Sequence, residues 1–286
     1  MRVREHLVDI GDIRLFFAER GDGYPLMVFH GGPGLDHHEF GDYLDPLCDQ
    51  FRLILVDERA QGKSDLCPDS TWTLEQMAKD VVLLAEALNL KKYAVLGHSY
   101  GAFVVLQNAV DFPGHAAQTI VSGGVPSARF LSVVQENLQK LEPAGIREKV
   151  IASWDRESRV QTQEEFAELM HDQMPFHFGN PLDPRLAEYE ERTKGTVYSP
   201  AMLRHFSVSD YGGIEVEDRL KNVTQPVLVT TGRLDRVCTV DAAEAMAKGL
   251  PNSELVIFEK SGHMTFVEEP ELYLKVVRDF LNRHMD

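Results

Sequence analysis

Two stretches near the start of the chain, "VREHLVDI" and "IRLFFAE", alternate polar and apolar residues with period two. That period sends one face of a strand to a core and the other to water, so it predicts antiparallel strands at a sheet edge. Six later stretches read differently. "PLMVFH", "FRLILVD", "YAVLGH", "QTIVSG", "PVLVTTG" and "ELVIFEK" are near-continuous apolar runs, the pattern of strands buried on both faces of a parallel sheet. Helix-period segments lie between them. "TLEQMAKDVVLLAEALNL" is amphipathic, with Thr73 as its N-cap and Gln76 three residues on, a capping-box pattern. "YGAFVVLQNAVDF" is apolar almost all round and predicts a buried helix. "PELYLKVVRDFLNRHM" predicts a closing helix with Pro270 near its start. Strands alternating with helices make this an α/β chain: a mostly parallel eight-stranded sheet with helices on both faces.

From about Pro126 to Gly213 the pattern changes. "VQENLQKLEP", "TQEEFAELMHDQM" and "DPRLAEYEERTK" are charged and helix-periodic, and the stretch carries no strand signal. Alternation resumes at "QPVLVTTGRLD". The expected organisation is a core built from residues 1–125 and 214–286, with residues 126–213 inserted as a helical cap. Such an insertion lies over the strand ends where α/β sheets place their ligand sites.

A length of 286 residues suits one large domain with an inserted subdomain. The formal net charge of −16 leaves no basic excess to neutralise phosphates, which argues against a nucleic-acid partner. The N-terminus lacks the apolar core of a signal peptide, and no run reaches membrane-spanning length, so no membrane association and a cytoplasmic location are expected. Cys48, Cys67 and Cys238 are odd in number and lack metal-ligand spacing, which fits free thiols in a reducing compartment. Cys238 reads as a packing residue. The sequence sets no oligomeric state.

Candidate chemistry begins at Gly97-His98-Ser99-Tyr100-Gly101. An apolar run enters the serine and an apolar helix leaves it, the strand–turn–helix context that makes G-x-S-x-G a nucleophile motif. So tight a turn needs small neighbours, and it puts Ser99 at a helix N-terminus that favours developing negative charge. A serine hydroxyl needs a base, and the base needs an orienting acid, in the chain order Ser, Asp or Glu, His. Asp235 in "VLVTTGRLDRV" and His263 in "ELVIFEKSGHM" each follow a buried strand. The expected roles are Ser99 nucleophile, His263 general base then acid, and Asp235 holding the imidazole tautomer. Asp241, Glu268 and Glu269 fall in helices or at helix starts and read as solvated. The run His30-Gly31-Gly32-Pro33-Gly34 follows another buried strand. Its backbone can approach a ligand, so the Gly32 and Tyr100 amides are the expected oxyanion hole. His30 precedes the serine, so with Gly31 it is assigned to bracing the loop. His37 and His38 are adjacent and expected to diverge, so no metal site is assigned to them. In "VDERAQGKSD" an ion pair between Asp57 and Arg59 is expected to lock the loop.

Together "HGGPG", "DERAQGKSD", "GHSYGA", "GRLD" and "SGH" give the chain a family resemblance. Within the α/β-hydrolase fold it resembles the proline iminopeptidase group of serine peptidases, over most of residues 25–125 and 220–286. The resemblance implies release of an N-terminal residue, often proline, from a short-peptide or small-molecule substrate, with no metal and no cofactor. It also implies glutamates that grip the substrate amine, one in the cap and in some members one directly after the catalytic Asp. Here Arg236 follows Asp235, and the corresponding cap stretch "TKGTVYSPAMLRHF" holds no acid. Glu188, Glu190 and Glu191 are the alternatives within the cap. Two enzymatic readings follow. One is an aminopeptidase. The other is an esterase, lactonase or amidase acting on a small neutral or acidic acyl compound, which Arg236, Arg204 and His205 suit better. A ligand receptor without catalysis is the reading from a different class.

Overall fold

The structure, a computed structural model, describes residues 3–285. Eight strands form one sheet in the order β1-β2-β4-β3-β5-β6-β7-β8. They are β1 (Arg4–Asp9), β2 (Arg14–Arg20), β3 (Tyr24–Phe29), β4 (Phe51–Val56), β5 (Ala94–His98), β6 (Gln118–Ser122), β7 (Val227–Gly232) and β8 (Ser253–Phe258). The pairs β1/β2 and β2/β4 are antiparallel, and every other pair is parallel. β1 shows the two-sided alternation expected of an edge. β2 does not: five of its seven residues are buried, because it lies between β1 and β4 rather than at the rim.

The apolar runs divide their side chains between two cores. Met27, Phe29, Val95, Val227 and Val229 enter one. Leu26, Val28, Ala94, Leu96 and Leu228 enter the other. Successive strand residues point to opposite faces, so a run buried throughout requires a layer on each side. The first core is closed by α1 (Leu74–Ala87), α2 (Tyr100–Asp111) and α8 (Val240–Gly249). The second is closed by α9 (Thr265–Glu268) and α10 (Pro270–Arg283). Thr73 caps α1, its hydroxyl accepting the Gln76 amide at 3.1 Å.

Between β6 and β7 the chain is helical, with α3 (Val134–Lys140), α4 (Ala144–Trp154), α5 (Gln163–His177), α6 (Arg185–Arg192) and α7 (Pro200–Ser207). Its two ends meet. Ser127 and Glu215 form an isolated antiparallel bridge, the Ala128 amide donates to Ile214 at 2.8 Å, and the Val216 amide donates to Pro126 at 2.9 Å.

The loop after β4 departs from expectation. Arg59, fully buried, does not pair with Asp57. It forks onto Asp80 of α1 at 2.7 Å through both Nε and Nη2, and it reaches Asp12 at 3.1 Å. Asp57 instead accepts the His37 amide and imidazole at 2.9 and 2.7 Å and the Lys63 amide at 2.8 Å. The guanidinium therefore ties the loop to a helix rather than to itself. Rigidity here matters because the loop supports its neighbour, with Gln61 accepting the Gly34 amide at 2.5 Å.

Candidate active site

β5 ends at His98 and α2 begins at Tyr100, so Ser99 alone makes the connection. Its φ of 53° and ψ of −117° lie where a non-glycine residue is strained by about 1–3 kcal/mol. The surroundings hold it there. A Cβ at Gly97 would run into the Gly101 backbone, and one at Gly101 would come within 2.5 Å of the His30 carbonyl oxygen. Only glycine permits the strand, the helix and the loop after β3 to approach this closely.

That loop is braced from beneath. The His30 imidazole donates from Nδ1 to the Gly31 carbonyl at 2.8 Å and accepts the Glu58 amide on Nε2 at 3.3 Å. Burial lowers its pKa, which fits this neutral tautomer. The Gly31 amide donates to the Glu39 carboxylate at 2.5 Å. The next amide, Gly32, has no partner among the described residues, and neither has the Tyr100 amide at the start of α2. Both residues line the same cavity, of about 830 Å³, as Ser99 and His263.

Asp235 follows β7 and His263 follows β8. The His263 imidazole donates from Nδ1 to Asp235 Oδ2 at 2.7 Å, and the Val237 and Cys238 amides donate to Asp235 Oδ1 at 2.8 and 2.9 Å. These bonds orient the carboxylate and fix the imidazole tautomer, leaving Nε2 as the acceptor. Nε2 has no hydrogen-bond partner among the described residues. Gly123, at φ +61°, makes room for the ring; a Cβ there would stand 3.0 Å from its Cε1.

His263 is packed between two further imidazoles, His98 at 4.9 Å and His177 at 5.4 Å between ring centroids. Burial and then the neighbouring His263 lower both of their pKa values, His177 to about 4. His263 goes the other way. Burial disfavours its charged form, but the charge and hydrogen bond of Asp235, with Glu39 and Glu268 beyond, raise its pKa above the ordinary 6.5. Of three clustered imidazoles, one is therefore poised to take a proton.

Among the described residues the cavity wall carries four carboxylates, Glu39, Asp155, Glu157 and Asp210, against one guanidinium, Arg129, which is already paired with Glu217 at 2.7 Å. The basic residues expected at the substrate are elsewhere. Arg236 donates to the carbonyls of Phe176, Phe178 and Gly179 at 3.2, 2.6 and 2.9 Å. Arg204 donates to the Val160 carbonyl, and His205 stands edge-on to Trp72. None of the three lines the cavity. The acids singled out on α6 are not there either. Glu188 pairs with Arg192, Glu191 with Lys194, and Glu190 with His171.

A family model described as the alpha/beta hydrolase fold matches residues 24–270. The chain belongs to the α/β-hydrolase family. A proline iminopeptidase from Heyndrickxia coagulans is 32% identical to this hydrolase over 274 residues, 93% of each chain. Among solved structures, an alpha/beta fold family hydrolase from Bacillus anthracis superposes with a TM-score of 0.81 at 22% identity, covering 98% and 99% of the two chains. An esterase from Exiguobacterium antarcticum gives 0.76 at 20% identity, covering 98% and 100%.

Several residues at the hydrolase site carry no sequence motif. Glu39, 5% exposed, stands against the loop after β3; a Cβ on Gly31 would lie 2.6 Å from its Oε1 and 3.0 Å from Ser99 Cβ. Burial pushes its pKa up to about 7. Glu157, also 5% exposed, accepts from Tyr211 at 2.6 Å and Gln173 at 2.8 Å. Glu268 is not solvated but 6% exposed. His37 and His38 do not diverge: both lie on a short 3-10 helix (His37–Phe40) with ring centroids 4.1 Å apart. With Asp36 their ligand-type atoms fall within 4.8 Å, yet each Nδ1 is already bonded to a carboxylate, His37 to Asp57 and His38 to Asp36. No helix among the described residues is long and apolar enough to cross a membrane.

Proposed function

We propose that this hydrolase uses Ser99 as nucleophile, His263 as general base and then acid, and Asp235 to hold the imidazole, and that it releases an N-terminal residue such as proline from short peptides. In the first step Ser99 Oγ attacks the acyl carbon while its proton passes to His263 Nε2. The transfer requires the two atoms to close to about 2.6–3.2 Å. The Gly32 and Tyr100 amides, free of other partners among the described residues, receive the oxyanion, each such donor being worth roughly 10²–10³ in rate. His263 then returns the proton to the leaving amine. Water deprotonated by the same Nε2 releases the acyl group. Residues 126–213 act as the cap that selects the substrate.

One observation carries the aminopeptidase reading over the ester one: the cavity holding Ser99 is walled by Glu39, Asp155, Glu157 and Asp210, with a single, already paired guanidinium. A substrate ammonium entering this cavity loses its hydration and needs a carboxylate partner, whereas an anionic acyl group faces an excess of carboxylates. The activity named for the Heyndrickxia relative agrees.

The test is a parallel assay of proline p-nitroanilide, its N-acylated form and a short p-nitrophenyl ester, with Ser99→Ala as the blank. Cleavage of the free-amine anilide at least tenfold faster than of the acylated one, abolished in Ser99→Ala, is expected. Equal rates on both anilides, with fast ester cleavage, would assign the site to simple acyl esters. Turnover surviving in Ser99→Ala, or failure of Ser99 to react with a fluorophosphonate, would remove it from the nucleophile's role.

A further inference from the structure

The loop carrying His263 is attached less to its own strand than to the end of α5. The His263 amide donates to the His177 carbonyl at 2.7 Å. The Glu268 carboxylate bridges two amides, one on each side of this contact: Gly262, next to His263, at 2.7 Å, and Gly179, just beyond α5, at 2.8 Å. The backbones touch. A Cβ on Gly262 would come within 2.5 Å of the Gly179 nitrogen and 2.6 Å of the His177 oxygen. On the other side Arg236, adjacent to Asp235, spreads its guanidinium over the carbonyls of Phe176, Phe178 and Gly179. Arg185 at the start of α6 donates to the Glu268 carbonyl. Residues 176–179 are therefore gripped by the neighbours of both Asp235 and His263.

Nothing about Glu268 suits it to a solvent-facing role. Its two carboxylate oxygens are each committed to a backbone N–H, and the nearest guanidiniums, Arg185 and Arg236, are spent on carbonyls or on Asp183. Burial pushes the Glu268 pKa up to about 7; above that pH it is a carboxylate, and one accepting two amides from segments remote in sequence fixes their separation as a neutral side chain cannot, because charge-assisted bonds of this kind are roughly twice as strong as neutral ones.

We propose that Glu268 is a positioning residue for His263, coupling the end of α5 to the imidazole so that the helical segment over the cavity and the base keep a fixed relation. The proposal rests on the assignment of His263 as base. Glu268 touches no reacting atom; it sets where the Gly262–His263 backbone lies, and through it where Nε2 points. In Glu268→Gln one amide keeps an oxygen acceptor and the other faces an NH2 group, so one bond is lost and two donors are opposed.

The experiment compares wild type, Glu268→Gln and Arg236→Lys with Ser99→Ala as blank, on whichever of the anilide and ester substrates the wild type turns over. Expected is a fall in kcat of about tenfold or more in Glu268→Gln with KM within about twofold, and a smaller fall of the same kind in Arg236→Lys. The Nδ1–H proton signal of His263 in the NMR spectrum, a readout that needs no turnover, is expected to shift or broaden in Glu268→Gln. Unchanged kcat with an unchanged His263 signal overturns the proposal. So does a loss of kcat that follows only a lowered melting temperature, with the His263 signal in place. Activity surviving in Ser99→Ala refutes the triad instead, and the NMR signal still decides whether Glu268 positions the ring.

Discussion

Glu39 is an acid buried beside Ser99, and among the described residues no ion pair holds it. Oε2 takes the Gly31 amide, Oε1 takes no hydrogen bond from the described residues, and Glu39 lines both the main cavity and a smaller one of about 300 Å³. Burial pushes its pKa up to about 7 from an ordinary 4.5. The folded protein thus holds a proton that the unfolded chain has lost, so stability falls as pH climbs from about 4.5 to about 7 and levels off above. The shift corresponds to on the order of 3 kcal/mol. Denaturant titrations across that window are expected to show Glu39→Gln gaining on wild type as pH rises; a pH-independent difference refutes it. The same substitution bears on catalysis. Glu39 is one of the charges that raise the His263 pKa, and in the proposed role of base His263 must be neutral to act. Activity is therefore expected to rise with pH through a midpoint above 6.5, and Glu39→Gln to move that midpoint down. With the carboxylate gone, KM for a free-amine anilide is expected to rise roughly tenfold or more, while ester cleavage changes little. Equal effects on both substrates would make Glu39 a brace for the Gly31–Gly32 peptide only.

At the scale of elements, the turn from β5 into α2 decides whether a site forms at all. A methyl group at Gly101 meets the Phe29 and His30 carbonyls, which belong to the neighbouring strand end and cannot move without shifting the loop after β3. Gly101→Ala is expected to cost more than about 3 kcal/mol, read as a fall in melting temperature or a failure to accumulate folded protein; a variant of unchanged stability would mean the α2 terminus is free to retreat. This turn was legible in the sequence because its signals are local: an apolar run, two glycines, another apolar run. The same holds for the eight strands, and Ser99, Asp235 and His263 can be read as a set because each follows the end of such a run. What stayed illegible depends on tertiary burial. Glu268 looks like any helix-start acid until Gly179 comes from 89 residues away to meet it. Arg59 finds its partners on α1 and at Asp12 rather than two residues back. β2 alternates in sequence yet is covered on both faces, because the sheet continues past it to β1. Arg236 has the sequence position of a substrate contact, and its reach to three carbonyls makes it a structural tie.

Charge acts on the molecule as a whole. A net charge of −16 surrounds a cavity whose own wall holds Glu39, Asp155, Glu157 and Asp210. A low-dielectric cleft lined by one sign of charge focuses the field, raising the local concentration of oppositely charged ligands and their rate of entry. Salt removes the long-range part of this, since the screening length falls from about 30 Å at 0.01 M to about 3 Å at 1 M. Two substrates of similar size report the effect separately. A free-amine anilide carries the ammonium that the field attracts, whereas a neutral p-nitrophenyl ester carries none. Between low and high ionic strength, kcat/KM for the anilide is expected to fall severalfold, through KM rather than kcat, while kcat/KM for the ester stays nearly constant. Neutralising one wall residue, as in Asp210→Asn, is expected to flatten the anilide's salt dependence without altering the ester's rate. Anilide kinetics as indifferent to salt as the ester's would mean that the ammonium enters without sensing the carboxylates, and the proposed preference for amine-bearing substrates would then have to come from the shape of the cavity instead of its charge.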